Sequence, residues 1–362
     1  MSELIQLDTM VRGWDELQKL NDTKPQTFFA DMFSYNKGRD FYLTDNISFD
    51  EVTSKNNIAV TVSRMDDYNL NKLDSYQTKT YKPAYYREKY VLNRSELFRR
   101  LPGYNPFDTA SQQFNNQLSS LFIQARDEIN DKLSRAMEFQ ASKAILEAKI
   151  PDLTNSKTFI EFDRNPDHVV NEASPGTYDG YMEAFSSMFK KIKKATGRPA
   201  GKLIFGETQW MEFTREARNA NAYDKIRYKD ANIEITRQED LGASYVGTID
   251  CGAYNVDAYT YPAMYTVPTG LGLPNEGTDV EYMPVNSILA MGKAKERDFI
   301  KKHCGVPVIE VKNGVDAFVP GVNEFTNTME RLDHGEGFSF ITSTSFLLLP
   351  AVPNMTVVSN FS

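Results

Sequence analysis

Residues 109–149 read TASQQFNNQLSSLFIQARDEINDKLSRAMEFQASKAILEAK, a stretch that contains neither glycine nor proline. Two prolines and a glycine at positions 102–106 interrupt the chain before it, and Thr109 can cap a first helical turn. Pro151 should stop the helix, because a proline cannot continue the backbone hydrogen-bond ladder. The stretch therefore predicts one helix from about residue 109 to 149, roughly 60 Å long at about 1.5 Å per residue.

Apolar side chains recur along this helix at steps of three and four residues, which gives it one continuous apolar face. The mean helix of a globular protein has only about 11 or 12 residues. A helix of this length is typical of a structural spine, and it favours a protein selected for its shape. The side chains expected to pack the spine against the body are Phe114, Leu118, Leu121, Ala125 and Ile129.

The composition is that of an ordinary globular protein. The chain has 362 residues, of which 41% are apolar and 25% charged, and its net charge is −8. A protein that coats DNA needs an excess of lysine and arginine, so this charge argues against that class. Cys251 and Cys304 are the only cysteines, which excludes a disulfide framework and fits a reducing compartment. We expect no signal peptide and no membrane span.

The remaining pattern predicts an α+β protein with extended arms. An N-terminal arm is followed by an extended region at 40–92, whose polar stretch 63–82 suggests a projecting hairpin or loop. After the spine, helices at 178–196 and 207–218 enclose a buried strand at 202–205, as in a compact α/β unit. Further strands are predicted at 233–236, 245–249, 255–261 and 287–291, and the closing pair at 338–349 and 356–361.

Motifs of catalysis and cofactor binding are missing from the sequence. Gly197–Leu203 falls one residue short of a phosphate loop, and we interpret it as a helix stop followed by a turn into a strand. Gly270 and Gly272 fail the dinucleotide spacing, and we interpret their segment as a mobile loop. The three histidines, His168, His303 and His334, have no metal-ligand spacing. We therefore expect no enzyme, no cofactor and no metal, although scattered carboxylates leave an α/β hydrolytic enzyme as an alternative.

One charge run is open to two interpretations. Lys190, Lys191, Lys193 and Lys194 lie toward the carboxyl end of the helix at 178–196, where cations interact favourably with the helix dipole. The alternative is a contact with acidic groups on a neighbouring subunit or with nucleic acid.

Five segments, in order along most of the chain, resemble the lambda-type major capsid protein E family of tailed phages. The spine with its Ala-rich end at 141–149 is one of them. Another is the return Tyr81–Lys89 (YKPAYYREK), which is similar to the return of that family's projecting loop. The others are Phe28-Phe29 leading to Phe41-Tyr42-Leu43, the strand-to-helix segment Ile204–Phe213, and the closing segments Thr342–Leu349 and Met355–Val358.

The resemblance implies the Hong Kong 97-like capsid fold, an α+β architecture with an N-arm, an extended E-loop, a P-domain that holds the spine and a mixed α/β A-domain. It also implies a division of the chain. The expected ranges are 1–40 for the N-arm, 41–90 for the E-loop, 91–180 for the P-domain with the spine at about 109–149, 181–305 for the A-domain, and 306–362 for a return to the P-domain with the closing strands.

The function implied is that of a major capsid protein, which self-assembles into the pentamers and hexamers of an icosahedral shell around double-stranded DNA without binding it specifically. Scaffold, portal and decoration proteins are the implied partners, with assembly in the host cytoplasm and a final place in the virion. An encapsulin-type cargo shell is the alternative within the same fold.

Two regions of subunit contact are predicted. Residues 48–83 of the E-loop should overlap the adjacent subunit through Tyr68, Tyr76, Tyr81 and Lys82. The loop Pro268–Asp279 should lie near capsomer axes, with Gly270, Leu271, Gly272 and Asn275 at its tip. Some capsids of this fold form covalent lysine–asparagine cross-links, but Lys72, Lys79 and Lys82 are interpreted here as ordinary loop lysines.

Overall fold

The spine helix is the longest element of the computed structural model and runs from Ala110 to Leu146, 37 residues or roughly 55 Å. It ends earlier than predicted, and Pro151 lies in a short strand beyond it. The amide of Glu147 still donates to the carbonyl of Lys143, but Ala148 has a left-handed backbone with φ of 54°. This left-handed residue, and not the proline, turns the chain out of the helix.

The structure describes most of the chain and omits several segments. The described residues are 26–44, 46–53, 75–93, 110–151, 159–220, 226–227, 242–270, 275–306, 308–312, 315–319, 323–331 and 337–361. Residues 1–25 of the predicted N-terminal arm and the predicted strand at 233–236 lie outside these residues.

A five-stranded sheet lies against the spine helix. Its strands are β1 (Phe41–Tyr42), β4 (Ala84–Asn93), β15 (Phe299–Cys304), β18 (Thr326–Arg331) and β19 (Gly337–Pro350). The long strand β19 is central: it pairs antiparallel with β4 on one side and with β18 and β15, end to end, on the other. Alternate residues of β4 and β19 face the helix, and the rings of Phe122 and Phe340 meet at 4.1 Å, edge to face.

A seven-stranded sheet forms the second half of the molecule. Its strands are β7 (Val169–Glu172), β8 (Ala200–Phe205), β9 (Ile226–Arg227), β10 (Ser244–Asp250), β11 (Asn255–Thr260), β14 (Ser287–Gly292) and β20 (Thr356–Phe361). They are arranged in the order β7-β20-β14-β8-β11-β10-β9, in which the β20–β7 and β11–β8 pairs are parallel and the others antiparallel.

Two amphipathic helices cover this sheet. They are α3 (Tyr178–Thr196) and α4 (Glu207–Asn219). The four-residue helix Lys37–Asp40 is α1, and the spine is α2. The α3 helix begins at the Thr177 cap, whose hydroxyl accepts from the Gly180 amide, and it ends at Gly197 with φ of 69°. Fully buried Phe185, Phe205 and Phe213 join the two helices to the sheet, with ring centroids 5.6–5.8 Å apart.

Four two-stranded hairpins complete the described strands. They are β2 (Ile47–Thr53) with β3 (Ser75–Tyr81), β5 (Lys149–Pro151) with β6 (Phe159–Glu161), β12 (Met264–Thr266) with β13 (Asp279–Glu281), and β16 (Val308–Lys312) with β17 (Val315–Val319). Strand β3 contains residues 75–81 of the polar stretch 63–82 that was predicted as a projecting hairpin or loop, whereas residues 63–74 of that stretch lie outside the described residues.

The two closing strands lie in different sheets. Strand β19 is the centre of the five-stranded sheet, whereas β20 is inserted between β7 and β14 of the other sheet. The chain crosses between the sheets over residues 293–298, after β14 and before β15. Residues 299–304 therefore belong with the five-stranded sheet, although they fall inside the range 181–305 expected for the A-domain.

Candidate assembly surfaces

The stem of the β2–β3 hairpin is fixed to the body at its base. Lys79 makes an ion pair with Asp163 at 2.7 Å, and the hydroxyl of Tyr81 donates to the carbonyl of Glu161 at 3.3 Å. The Tyr81 ring also lies 5.9 Å from that of Phe162. These contacts hold the direction in which the hairpin leaves the subunit.

The four residues predicted for the E-loop contact have different positions. Tyr68 lies outside the described residues, and Tyr76 is placed in β3 opposite Val52, with its side chain not described. Tyr81 is half-buried and contacts its own chain, while Lys82 is exposed just beyond the strand. The structure thus brings Tyr81 and Lys82 together at the base of the hairpin.

The predicted axis loop is the tip of the β12–β13 hairpin. The Gly270 amide donates to a carboxylate oxygen of Glu276 at 3.1 Å across the tip, and Gly270 has φ of 87°. Asn275 is exposed and also left-handed, with φ of 62°, while Leu271 and Gly272 lie outside the described residues. The Val267 amide donates to the Thr278 carbonyl and the Gly277 amide donates to the Val267 carbonyl, which extends the β12–β13 ladder by one step.

The hairpin base packs on the spine helix. The Tyr265 ring lies 5.2 Å from Phe139 of the helix and 5.0 Å from Tyr282, whose hydroxyl donates to the Arg135 carbonyl. A change in the orientation of the spine would therefore be passed directly to this hairpin.

Three of the five residues predicted to pack the spine against the body have described side chains. Ala125 and Ile129 are 0% and 2% exposed, and Leu121 is half-buried beside Phe122. Phe114 and Leu118 lie in the first turns of the helix, where the structure describes only the backbone.

A guanidinium group caps the carboxyl end of the spine helix. Arg164 donates from its two terminal nitrogens to the carbonyls of Ile145, at 3.0 Å, and Leu146, at 2.7 Å. The last carbonyls of a helix have no partner within the helix, and a cation there also interacts favourably with the helix dipole. Burial lowers the pKa of Arg164 to about 10. No sequence pattern predicted this contact, because Arg164 follows the last residue of the helix by 18 positions.

A buried carboxylate on the spine was also missed. Glu138 is fully buried and accepts hydrogen bonds from the amides of Phe29 and Ala30 and from the hydroxyl of Tyr261. Its only sequence signal is an acid within the run AMEFQASKAIL, where the helix is apolar on more than one face. This residue joins the N-terminal segment, the spine and the end of β11.

The histidines considered for chemistry that the structure describes have separate surroundings. His303 is buried with its ring 5.0 Å from that of Tyr35, His168 is bound to the Thr356 carbonyl at 3.0 Å, and His334 lies outside the described residues. Among the described residues, no cluster of histidine, cysteine and acidic side chains could hold a metal ion. Gly197 ends α3 and Gly201 lies in β8, in agreement with the interpretation as a helix stop and a strand.

Several large apolar side chains lie open to solvent, and no sequence pattern distinguished them from core residues. Leu43, Met211, Tyr85 and Met264 are between 51% and 66% exposed.

Lys190, Lys193 and Lys194 are exposed on α3, the last two in its final turn, consistent with the dipole interpretation. In the part of the chain that the structure describes, no helix has the length and apolar character needed to span a membrane.

Comparison with solved structures places this architecture among capsid proteins. A chain assigned as the capsid protein of a prophage of Escherichia coli CFT073 superimposes with a TM-score of 0.62 at 15% identity, covering 97% of this chain and 98% of that one. The capsid structure of cyanophage P-SCSP1u matches with a TM-score of 0.50 at 10% identity, over 94% and 89% of the two chains. The fold is the Hong Kong 97-like capsid fold, as the resemblance predicted.

The family follows from the sequence itself. The family model described as phage major capsid protein E matches residues 12–359, nearly the whole chain, whereas a search of curated proteins finds no significant match. The chain belongs to the phage major capsid protein E family, and it is a structural protein of the phage capsid, not an enzyme. Its location is therefore the virion.

Proposed function

We propose that this chain assembles into the pentamers and hexamers of an icosahedral shell that encloses double-stranded DNA. The observation that supports this most directly is the family match over residues 12–359. The net charge of −8 suits a wall that surrounds DNA without gripping its phosphates. Many small contacts of each subunit with its neighbours, repeated by symmetry, would close the shell.

Each structural unit takes a role in this proposal. The spine helix and the five-stranded sheet form the P-domain, and the seven-stranded sheet with α3 and α4 forms the A-domain. The β2–β3 stem begins the E-loop, and residues 48–83 overlap the adjacent subunit. Because Tyr81 is held by its own chain, Tyr68 and Tyr76 are the tyrosines of this group proposed to contact the neighbour.

Shortening the E-loop tests this contact. The β2–β3 register runs from Ile47 opposite Tyr81 to Thr53 opposite Ser75. Deleting 57–71 therefore keeps the stem and leaves 54–56 and 72–74 as its turn. We expect a folded subunit, with an unchanged circular dichroism spectrum, that fails to form shells in size-exclusion chromatography and negative-stain electron microscopy. The Tyr68→Ala variant should reduce shell yield in the same direction.

Shells formed by the deletion variant in normal yield would contradict the overlap. Loss of the native dichroism would instead show a folding defect, and Tyr68→Ala would then decide alone, since a single exchange outside the β2–β3 register spares the stem.

The β12–β13 hairpin is proposed to lie near the capsomer axes. Its exposed Asn275 offers a position for a cysteine, because the native Cys304 is buried and Cys251 is half-buried. In shells of Asn275→Cys, a short bismaleimide should link five or six subunits into one ladder. The exposed Asp167, on the loop before β7, gives the matched control Asp167→Cys. Ladders that stop at dimers, or that are equal in the control, would refute the axial position.

Scaffold, portal and decoration proteins, with assembly in the host cytoplasm, complete the proposal. Electron microscopy of the protein, alone and co-expressed with the genes beside its own, tests whether such partners are needed. Closed shells in either case support the proposal, and a monodisperse small oligomer in both cases would refute it.

A further inference from the structure

Glu138 is a buried acid surrounded by hydrogen-bond donors. Its side chain is 0% exposed. One carboxylate oxygen accepts from the Phe29 amide at 2.9 Å and from the Tyr261 hydroxyl at 2.7 Å, and the other accepts from the Ala30 amide at 2.8 Å. Within the described residues, no cation forms an ion pair with it. A buried carboxylate without a positive partner is costly, and such groups usually respond by changing their protonation.

The donors come from segments far away in sequence. Phe29 and Ala30 begin the 3-10 turn Ala30–Met32, whose first amides have no partner inside the turn. Glu138 supplies that partner from the spine, more than a hundred residues later in the chain. The rings of Phe28 and Phe29 lie 5.2 Å from that of Tyr261, so one buried cluster joins the turn to the end of β11.

Few charged groups surround this carboxylate. Asp31 approaches from the N-terminal turn, Tyr261 and Tyr282 from the strands, and Arg135 lies nearly one turn earlier on the spine, exposed to solvent. Burial raises the pKa of Glu138 to about 7, against the three hydrogen bonds that favour its ionised form, and the charge of Asp31 raises it further. The acid therefore changes charge close to neutral pH.

We propose that Glu138 is a proton-controlled clasp that fastens the N-terminal turn at 28–33 and Tyr261 to the spine helix. The Glu138 carboxyl binds its proton more tightly when it is buried than when it is exposed to water. The closed clasp is therefore stabilised at pH values below the pKa of the buried carboxyl. Closure is then strongest in mild acid and weakens as the pH rises through about 7. The turn at 28–33 would loosen in the same direction.

Amide hydrogen exchange on the full-length protein tests the clasp. The readout is the protection factor of a peptide covering 28–33, corrected for the intrinsic pH dependence of exchange, at pH 5.5 and pH 8. With the buried and exposed values of about 7 and 4.5, we expect protection to fall about 25-fold between these conditions. Glu138→Gln should abolish this dependence, because an amide does not titrate.

Two further variants make the result specific. Tyr261→Phe removes one donor to the ionised carboxylate, so the midpoint of the protection change should move to higher pH. Glu128→Gln is the matched control: it makes the same exchange on the same helix, at an exposed residue paired with Lys132, and it should retain the wild-type profile.

The clasp is refuted if Glu138→Gln keeps the wild-type pH dependence, or if Glu128→Gln loses it. Should Glu138→Gln fail to fold, Tyr261→Phe decides: an unmoved midpoint overturns the proposal, and an upward shift supports it.

Discussion

The cap at the carboxyl end of the spine helix should be a main source of stability for the helix. Replacing Arg164 by methionine keeps an apolar stem of similar length and removes both donors. The Ile145 carbonyl retains the Thr356 hydroxyl at 3.3 Å, while the Leu146 carbonyl loses the Arg164 donor at 2.7 Å. A hydrogen bond to a charged group contributes about 1.5–3 kcal/mol, and the dipole interaction about 0.3–1 kcal/mol. The variant avoids the cost of removing the guanidinium from water, which offsets part of this loss. We therefore expect the free energy of unfolding to fall by about 2–4 kcal/mol.

Urea unfolding followed by circular dichroism measures this loss, with wild type and variant compared in the same assembly state. Arg135→Met is the matched control. Arg135 lies on the helix that Arg164 caps, is 51% exposed and makes a 3.8 Å ion pair with Asp131. Exposed pairs of this kind contribute about 0–1 kcal/mol. Arg164→Lys, which has a single charged nitrogen, should fall between the wild type and Arg164→Met.

Equal unfolding midpoints for Arg164→Met and Arg135→Met would refute the reasoning. Such a result would mean that water satisfies the two carbonyls as well as the guanidinium does, and that the helix end is held by its apolar contacts alone.

Two further outcomes are expected. Phe340→Ala removes a ring that lies 4.1 Å from Phe122 and should lower the unfolding free energy by about 3–5 kcal/mol in the same urea assay, whereas exposed Met211→Ala should change it by less than about 0.5 kcal/mol; similar losses in both would contradict the sheet–spine core. Burial lowers the pKa of His303 from 6.5 to about 3. The stabilisation of the fold by the neutral imidazole is therefore complete above pH 6.5 and is lost as the pH falls toward 3. Between pH 7.5 and pH 5, the unfolding free energy of wild type should therefore fall by about 2 kcal/mol relative to that of His303→Phe. Parallel profiles of unfolding free energy against pH would contradict this.

Local elements were well predicted where several physical signals agreed. The α3 helix has the predicted bounds, because its 3.6-residue apolar period and its glycine stop agree on them. The closing strands at 337–350 and 356–361 also fall within one residue of their predicted bounds, since each is a run of β-favouring residues interrupted only by the proline turn.

Pairing between distant segments was harder to predict. Nothing in residues 356–361 distinguishes a partner in one sheet from a partner in the other, because both sheets offer buried apolar neighbours. The strands at 308–312, 315–319 and 326–331 were not predicted. The last of them, TNTMER, contains a single apolar residue and so lacks the hydrophobic signal of a strand. The contacts of Glu138 and Arg164 depend on which segments meet in three dimensions, which single-chain patterns do not encode.

The placement of the last two strands also has a consequence during synthesis. Strand β19 is the core strand of one sheet, and β20 fills an interior position of the other, so neither sheet can be completed before residues 337–361 leave the ribosome. Chains emerge at about 5–20 residues per second, so both sheets stay incomplete while the segments before these strands are translated. A nascent chain would thus present no finished surface to its neighbours until both strands have emerged, which would delay polymerisation on the polysome.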